Sequence, residues 1–239
     1  IEKTVHGWCY VSVTLEGDEF SVCTHKKVPT AELPIQLKNP DYEEDYTIGY
    51  RAEIRPLASG WISALANSLA NGHILLIDYG YPNDELYHPQ RTQGSLTCFI
   101  NHHRNDNFLT ATGIQDITAH VDFSDLASQS DFCGLQVSGF TTQAGFLLEN
   151  GILEKAEKLI HGGVSKSLEV DPDDDQEKTQ MIDRLKVSQQ IQKLMMPGQM
   201  GEILKVMWLS NDQSAIQSAG KSTKSALKGF SMQDHLHRL

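Results

Sequence analysis

The stretch His73-Ile74-Leu75-Leu76-Ile77-Asp78-Tyr79-Gly80 decides the reading of this chain. A short continuous apolar run of this kind predicts a strand buried on both faces, as in a parallel sheet. Just upstream, Leu57, Trp61, Leu65 and Leu69 recur every four residues, with Ala58, Ile62 and Ala66 beside them. That is a helical period. Pro56 suits the first turn of such a helix, and Asn71-Gly72 suits its end. Helix and strand together form one αβ unit of a doubly wound fold. Ligands bind such sheets at the carboxyl ends of the strands, which is where Asp78 and Tyr79 fall. Gly80 permits a turn or a close approach there. A strand-terminating turn with an Asp cap accounts for the same residues equally well.

Two more strands are predicted downstream, Leu135–Phe140 and Glu202–Leu209. Ala144 to Leu159 and Lys178 to Leu194 read as helices. Gly162 to Gln176 reads as a polar, acidic, mobile loop. Upstream, Trp8–Val13 and Glu19–Thr24 alternate on either side of Gly17-Asp18, the signature of a β-hairpin. Lys27 to Tyr46 carries three prolines and the acidic residues Asp41, Glu43, Glu44 and Asp45, and reads as an exposed loop. Residues 1–50 are therefore expected to form a hairpin and acidic-loop insertion, and residues 51–239 the α/β part.

Several polar groups could carry chemistry. Gln115-Asp116-Ile117-Thr118-Ala119-His120-Val121-Asp122-Phe123 places two carboxylates, a Thr and a His just before a predicted helix. If the segment is extended, Asp116, Thr118, His120 and Asp122 share one face. A His beside carboxylates is a fair general base. The plainer alternative is that Asp122 or Ser124 caps the helix and His120 makes a core hydrogen bond. Thr141-Thr142-Gln143 either faces the same crevice or caps the next helix. Tyr87-His88-Pro89-Gln90-Arg91 is either a loop over the crevice or a solvated turn.

Composition narrows the classes. Lys and Arg total 20 against 31 Asp and Glu, a net charge of −11. No basic stripe interrupts this balance, which argues against nucleic acid as a partner. No apolar run approaches the roughly 20 residues of a membrane span. The four cysteines, Cys9, Cys23, Cys98 and Cys133, form no Cys-x-x-Cys pair and are read as reduced thiols. His102-His103 and His235-Leu236-His237 lack neighbouring ligands at metal spacing, so no metal site is expected. There is no Gly-x-Gly-x-x-Gly turn. Nor is there a Gly-x-Ser-x-Gly elbow, which removes the motif an α/β-hydrolase using His120 and Asp122 would need. The start at Ile1 reads as the middle of a longer chain.

Together, six motifs resemble the MidA-like family of S-adenosylmethionine (SAM)-dependent methyltransferases, which includes the mitochondrial complex I assembly arginine methyltransferase. They are Leu76–Gly80, Tyr87–Cys98, Gln115–Phe123, Gly139–Gln143, Met200–Glu202 and Leu227–Phe230. The resemblance implies the C-terminal part of a class I, Rossmann-like sheet with helices on its faces, its last strand antiparallel and inserted between its neighbours. It implies that the glycine-rich, SAM-holding half precedes Ile1. The missing N-terminal half would then be a partner in cis, and this chain alone would be inactive. It further implies SAM as the cofactor of the full-length protein, facing Asp78 and Tyr79. His120 and Asp122 would be catalytic, and Tyr87, Arg91 and Gln143 would contact a protein acceptor through its arginine. A bacterial-type cytoplasmic location, with the mitochondrial matrix as the alternative, is implied as well. The rival expectation is an assembly or interaction protein with a degenerate methyltransferase fold. The free edge of an incomplete sheet also predicts self-association.

Overall fold

The computed structural model describes residues 1–162, 174–212, 229–231 and 233–239. Most of the polar segment 162–176, and Leu227-Lys228 of the family-like ending, lie outside the described residues. The strands are β1 (Glu2–Thr4), β2 (Gly7–Glu16), β3 (Glu19–Lys27), β4 (His73–Tyr81), β5 (Thr97–Ile100), β6 (His103–Asn105), β7 (Asp116–Thr118), β8 (Val121–Asp122), β9 (Gln136–Thr142) and β10 (Leu204–Ser210). The helices are α1 (Ile35–Lys38), α2 (Ala58–Ser68), α3 (Asn83–Leu86), α4 (Phe123–Phe132), α5 (Gln143–Glu149), α6 (Ile152–Gly162), α7 (Asp174–Met195) and α8 (Met200–Ile203). Two compact units result. The first comprises Ile1–Ser68, Gly80–Cys133 and Leu239; the second comprises Leu69–Tyr79 and Gly134–Arg238.

In the second unit, β10 lies between β4 and β9 and runs antiparallel to both. This is the arrangement expected of the last strand. Val206, Met207 and Leu209 on β10 are shut off from solvent. The strand starts two residues later than its apolar run suggested, because Met200–Ile203 forms a single helical turn. Gly201 permits that turn: a Cβ there would strike the Met195 backbone. The helix expected over Ala144–Leu159 is two helices, α5 and α6. The break falls at Asn150-Gly151, where Gly151 adopts φ +76°, a conformation that favours glycine.

The reading of β4 as buried on both faces needs correction. Leu75, Ile77 and Tyr79 are exposed, whereas Ile74 and Leu76 are partly covered. β10 occupies one edge of the strand. Among the described residues nothing seals the face that carries Leu75 and Ile77.

In the first unit, the expected hairpin forms as β2 and β3, turning at Gly17 with φ +67°. The segment Lys27–Tyr46 is not an exposed loop. It folds into short helical turns, because Val28, Leu33, Leu37 and Tyr46 pack into a core with Trp8, Tyr50, Ala52, Leu86 and Tyr87. Trp8, Tyr46 and Tyr50 meet edge to face, with ring centroids 4.9–5.8 Å apart, the geometry that aromatic quadrupoles favour. The polar stretch 81–118 is likewise structured. It holds α3 and a small antiparallel sheet in the order β6-β5-β7. Among the described residues, no helix is long and apolar enough to cross a membrane. The cysteines are all free.

One contact tests the second unit. Phe230 is fully buried and stands 2.5–2.9 Å from where a Cβ on Gly139 would be. It also packs on Phe146 and Trp208. Phe230→Ala should lower stability by about 3–5 kcal/mol. Gly139→Val should cost about 1–3 kcal/mol through overpacking. In the Phe230→Ala background the added valine should cost much less. Urea denaturation of the four proteins measures this coupling, and strictly additive losses would contradict the contact.

Candidate functional site

The sequence-predicted site residues divide between the two units. In the second unit, β4 brings Asp78 and Tyr79 to its carboxyl end, and both are exposed. The Asp78 carboxylate accepts a hydrogen bond from Tyr79 N–H at 2.7 Å. Register places Lys205 of β10 directly between Asp78 of β4 and Thr142 of β9. Directly opposed residues share a face with Cβ atoms about 5 Å apart, so an ammonium sits in one row with a carboxylate and a hydroxyl. Lys205 is only 3% exposed, and its Nζ donates to the Glu202 carbonyl.

Thr142 caps α5, its hydroxyl accepting from Gly145 N–H at 3.2 Å. Gln143 is buried, and its Nε2 donates to the Leu194 carbonyl at 3.0 Å, which ties α5 to the end of α7. Of the two readings of Thr141-Thr142-Gln143, the backbone therefore displays the cap. Nearby, His235 N–H donates to the Phe140 carbonyl at 2.8 Å. Burial, reinforced by Arg238 and Lys205, holds the His235 imidazole below its ordinary pKa.

In the first unit, the last two residues of β4 pair in parallel with β8, Gly80 with Val121 and Tyr81 with Asp122. Glycine is required at position 80 by space. A Cβ would overlap the Val121 carbonyl and lie 2.8 Å from the Phe123 ring. The Asp116–Asp122 segment is not one continuous strand, so its four polar residues do not share a face. Asp116 and Thr118 belong to β7 and are exposed, whereas Asp122 belongs to β8 and is buried.

Tyr81 collects the polar groups at this strand end. The Arg91 guanidinium lies 4.5 Å from its ring centroid, and the His120 ring lies 5.4 Å away, tilted by 53°. His120 is held from behind. Its N–H donates to Ser95 Oγ at 3.0 Å, and Ser95 donates from both N–H and Oγ to the Glu53 carboxylate at 2.8 and 2.7 Å.

Asp122 is the N-cap of α4. Its carboxylate accepts from Asp125 N–H at 2.9 Å. Ser124 Oγ accepts from Asn83 N–H at 3.0 Å and joins the start of α3 to α4. Tyr87 lies within the aromatic core. Its hydroxyl donates to the Glu53 carbonyl at 3.3 Å and lies close enough to the Asp122 carboxylate to interact with it. Burial pushes both Tyr87 and Asp122 above their ordinary pKa values. Arg55 lies close enough to oppose both shifts. Its Nη1 donates to the Glu53 carbonyl at 3.3 Å, and its buried Nη2 has no hydrogen-bond partner among the described residues.

Sequence reasoning did not single out Glu53, Ser95, Tyr81 or Lys205. The Lys205 signal was present, a lone cation inside the apolar run Ile203–Leu209. The roles of Glu53 and Ser95 have no local signature, because they act on a residue 25 or more positions away.

The Asp122 environment has a definite pH consequence. A carboxyl whose folded pKa is raised supports folding below its unfolded value, and that support is lost as pH rises through the folded value. Asp122→Asn keeps a capping oxygen and should flatten the part of the stability curve that falls as pH rises above the usual carboxylate range. Asp122→Ala should in addition lose about 1 kcal/mol of capping. Thermal melts at pH 5 and pH 8 measure both effects. An Asn variant with the wild-type slope would show that Asp122 does not carry it.

The family model described as "putative S-adenosyl-L-methionine-dependent methyltransferase" matches residues 1–141. No curated protein matches the chain. A crystal structure of a "likely methyl transferase" from Burkholderia thailandensis, bound to S-adenosyl-homocysteine, aligns over 100% of this chain and 54% of its own, with 28% identity and a TM-score of 0.78. An uncharacterized protein of the same superfamily and organism aligns over 100% of this chain and 55% of its own, with 29% identity and a TM-score of 0.75. The chain thus spans about half the length of these solved structures, and its mixed α/β architecture is that of the class I, Rossmann-like methyltransferases. The chain belongs to this methyltransferase family.

Proposed function

We propose that this chain is the C-terminal part of a SAM-dependent methyltransferase of the MidA-like branch, and that the whole protein methylates an arginine of a protein acceptor. The observation that carries the reading is the alignment of the entire chain with a relative bound to S-adenosyl-homocysteine. The chain has no glycine-rich turn of the Gly-x-Gly kind; among the described residues, the exposed Asp78 and Tyr79 at the end of β4 are the groups assigned to the cofactor in this reading. The N-terminal half is proposed as the partner in cis that supplies the rest. The exposed apolar side chains of Leu75 and Ile77 are consistent with a surface that another segment covers.

The acceptor side rests on Tyr81. Its ring holds the guanidinium of Arg91, and a substrate arginine that displaced Arg91 would meet the same cation–π contact. The net charge of −11 also favours a cationic partner and disfavours nucleic acid. A guanidinium nitrogen that gains a methyl group must give up a proton. His120, beside Tyr81, is the base placed to take it. Asp122, Tyr87 and the Glu53–Ser95 pair are positioning residues that hold the His120 segment. Gln143, in the second unit, is a positioning residue there: it ties α5 to the end of α7.

Two measurements test this reading. Calorimetry of the isolated chain against S-adenosyl-homocysteine should give no binding, and the full-length protein should bind it. Micromolar binding by the chain alone would overturn the division of labour. In the full-length protein, His120→Ala and Asp122→Asn should each cut methyl transfer to an arginine peptide at least about tenfold, or about 1.4 kcal/mol, with cofactor affinity retained. Normal turnover in both would leave His120 and Asp122 as structural groups. A full-length protein that binds no cofactor would instead support the interaction-protein reading.

A further inference from the structure

The guanidinium of Arg91 rests on an aromatic face. Its centre lies 4.5 Å from the Tyr81 ring centroid, and among the described residues it forms no hydrogen bond and no ion pair. Other arginines of the first unit do form them. Arg51 pairs with Glu2 at 2.7 Å, Arg104 pairs with Asp106 at 2.9 Å, and Arg55 donates to the Glu53 carbonyl at 3.3 Å. A guanidinium carries five N–H donors in one plane. Stacked on a ring with no protein acceptor, Arg91 gives those donors to water. Its head therefore lies at the solvent boundary, and both Arg91 and Tyr81 are half-buried. A cation–π contact in such a place is weak compared with a desolvated one.

The backbone under Arg91 is fixed. Two phenols from the aromatic core hold carbonyls of this loop: Tyr46 donates to the Tyr87 carbonyl at 3.0 Å, and Tyr50 to the His88 carbonyl at 3.3 Å. Arg91 N–H donates to the His88 carbonyl at 2.8 Å, and the Arg91 carbonyl accepts from Gly94 N–H at 3.1 Å. The Thr92 carbonyl accepts from Arg51 N–H at 2.9 Å. The side chain is thus a long, flexible stem on a rigid base. Its head can leave the ring by changing rotamer, a fast motion that leaves the loop in place. The ring face that it covers is then bared beside His120, whose backbone is pinned by Ser95.

We propose that the Tyr81 ring is a guanidinium-binding face, which Arg91 occupies as an internal stand-in and gives up to an incoming arginine side chain. This rests on the reading of the acceptor as an arginine, and it adds a brake to that site. While Arg91 is on the ring, a second guanidinium is refused by the space that Arg91 fills and by its like charge. The apparent affinity for arginine is then scaled down by the fraction of time for which the ring is vacant. The stand-in also states the ligand class. A planar, weakly hydrated cation replaces Arg91 on equal terms, whereas a lysine ammonium is compact and strongly hydrated and does not.

An NMR titration of the 239-residue chain with N-acetyl-arginine N-methylamide tests this without cofactor or methyl transfer. In the wild type the ligand should shift the Arg91 Nε–H resonance, as the side chain leaves the ring, together with the Tyr81 ring signals. Arg91→Gln should bind the ligand at least about fivefold more tightly, the gain expected if Arg91 holds the ring for about four-fifths of the time. Arg91→Lys should fall between the two. Adding Tyr81→Leu to Arg91→Gln should remove the gain, and the uncharged citrulline analogue should bind none of these proteins. An Arg91→Gln affinity equal to that of the wild type would overturn the proposal. So would a wild-type Arg91 resonance that stays fixed at ligand concentrations saturating the Gln variant, or a citrulline analogue that binds as the arginine does. If the chain shows the expected pattern and the full-length protein methylates no arginine, the stand-in is supported and only the methyl-transfer reading fails.

Discussion

The second unit depends on one constraint: β10 must be hydrogen-bonded along both edges at once. Leu204 to Ser210 pair with Tyr79 to His73 on one side, and Lys205 to Ser210 pair, with one bulge, with Thr142 to Gln136 on the other. A strand so placed has no free backbone donors at its edges and can be apolar through most of its length. Because β10 is antiparallel, its first residues lie beside the last residues of β4 and β9. The same pairing that completes the sheet therefore inserts Lys205 between Asp78 and Thr142. A buried ammonium is costly unless it is well bonded. Its place at the strand ends, rather than in the middle of β10, is where the Glu202 carbonyl is within reach.

A second close approach organises the first unit. β8 reaches β4 only because position 80 is glycine. That contact delivers Asp122 to the first turn of α4 and lays His120 against Tyr81. Behind these groups the polar contacts are continuous, from Glu53 through Ser95 to the His120 backbone, and from the Glu53 carbonyl through the Tyr87 hydroxyl to Asp122. In the proposed mechanism this support would hold His120 in a proton-transfer geometry, where a small displacement costs much of the rate. The buried carboxyl and phenol hold the fold around that proposed site. Asp122 caps a helix and fixes the segment that carries His120.

Much of the sheet was legible in the sequence because strands and helices report their period locally. The apolar runs at Ile74, Leu135 and Leu204 marked three strands. Gly17 marked the hairpin turn, and Asp122 was foreseen as one of two possible caps. The failures share a cause. Lys27–Tyr46 looked like a loop because its prolines and acidic residues outnumber the few apolar side chains that bury against Trp8 and Tyr87. The Asp116–Asp122 segment looked like one strand because alternation cannot show that Ala119-His120 pass from one sheet to another. β4 looked doubly buried because an apolar run states which residues tend to avoid water, not whether a neighbouring element covers each face.

From the sequence alone came the α/β class, the positions of the main strands, the antiparallel last strand implied by the family resemblance, and a short group of polar candidates. Those follow from interactions within a few residues of one another: side-chain period, turn chemistry and capping. Only the tertiary structure decided that Lys205 joins Asp78 and Thr142, and that Ser95 and Glu53 hold His120. It also decided that Tyr87 belongs to the core and that Arg91 lies over the Tyr81 ring. Each of these joins residues far apart in the chain, or depends on which face a neighbour covers. Neither is encoded in a local pattern, because long-range register and burial are settled by how all the elements pack together.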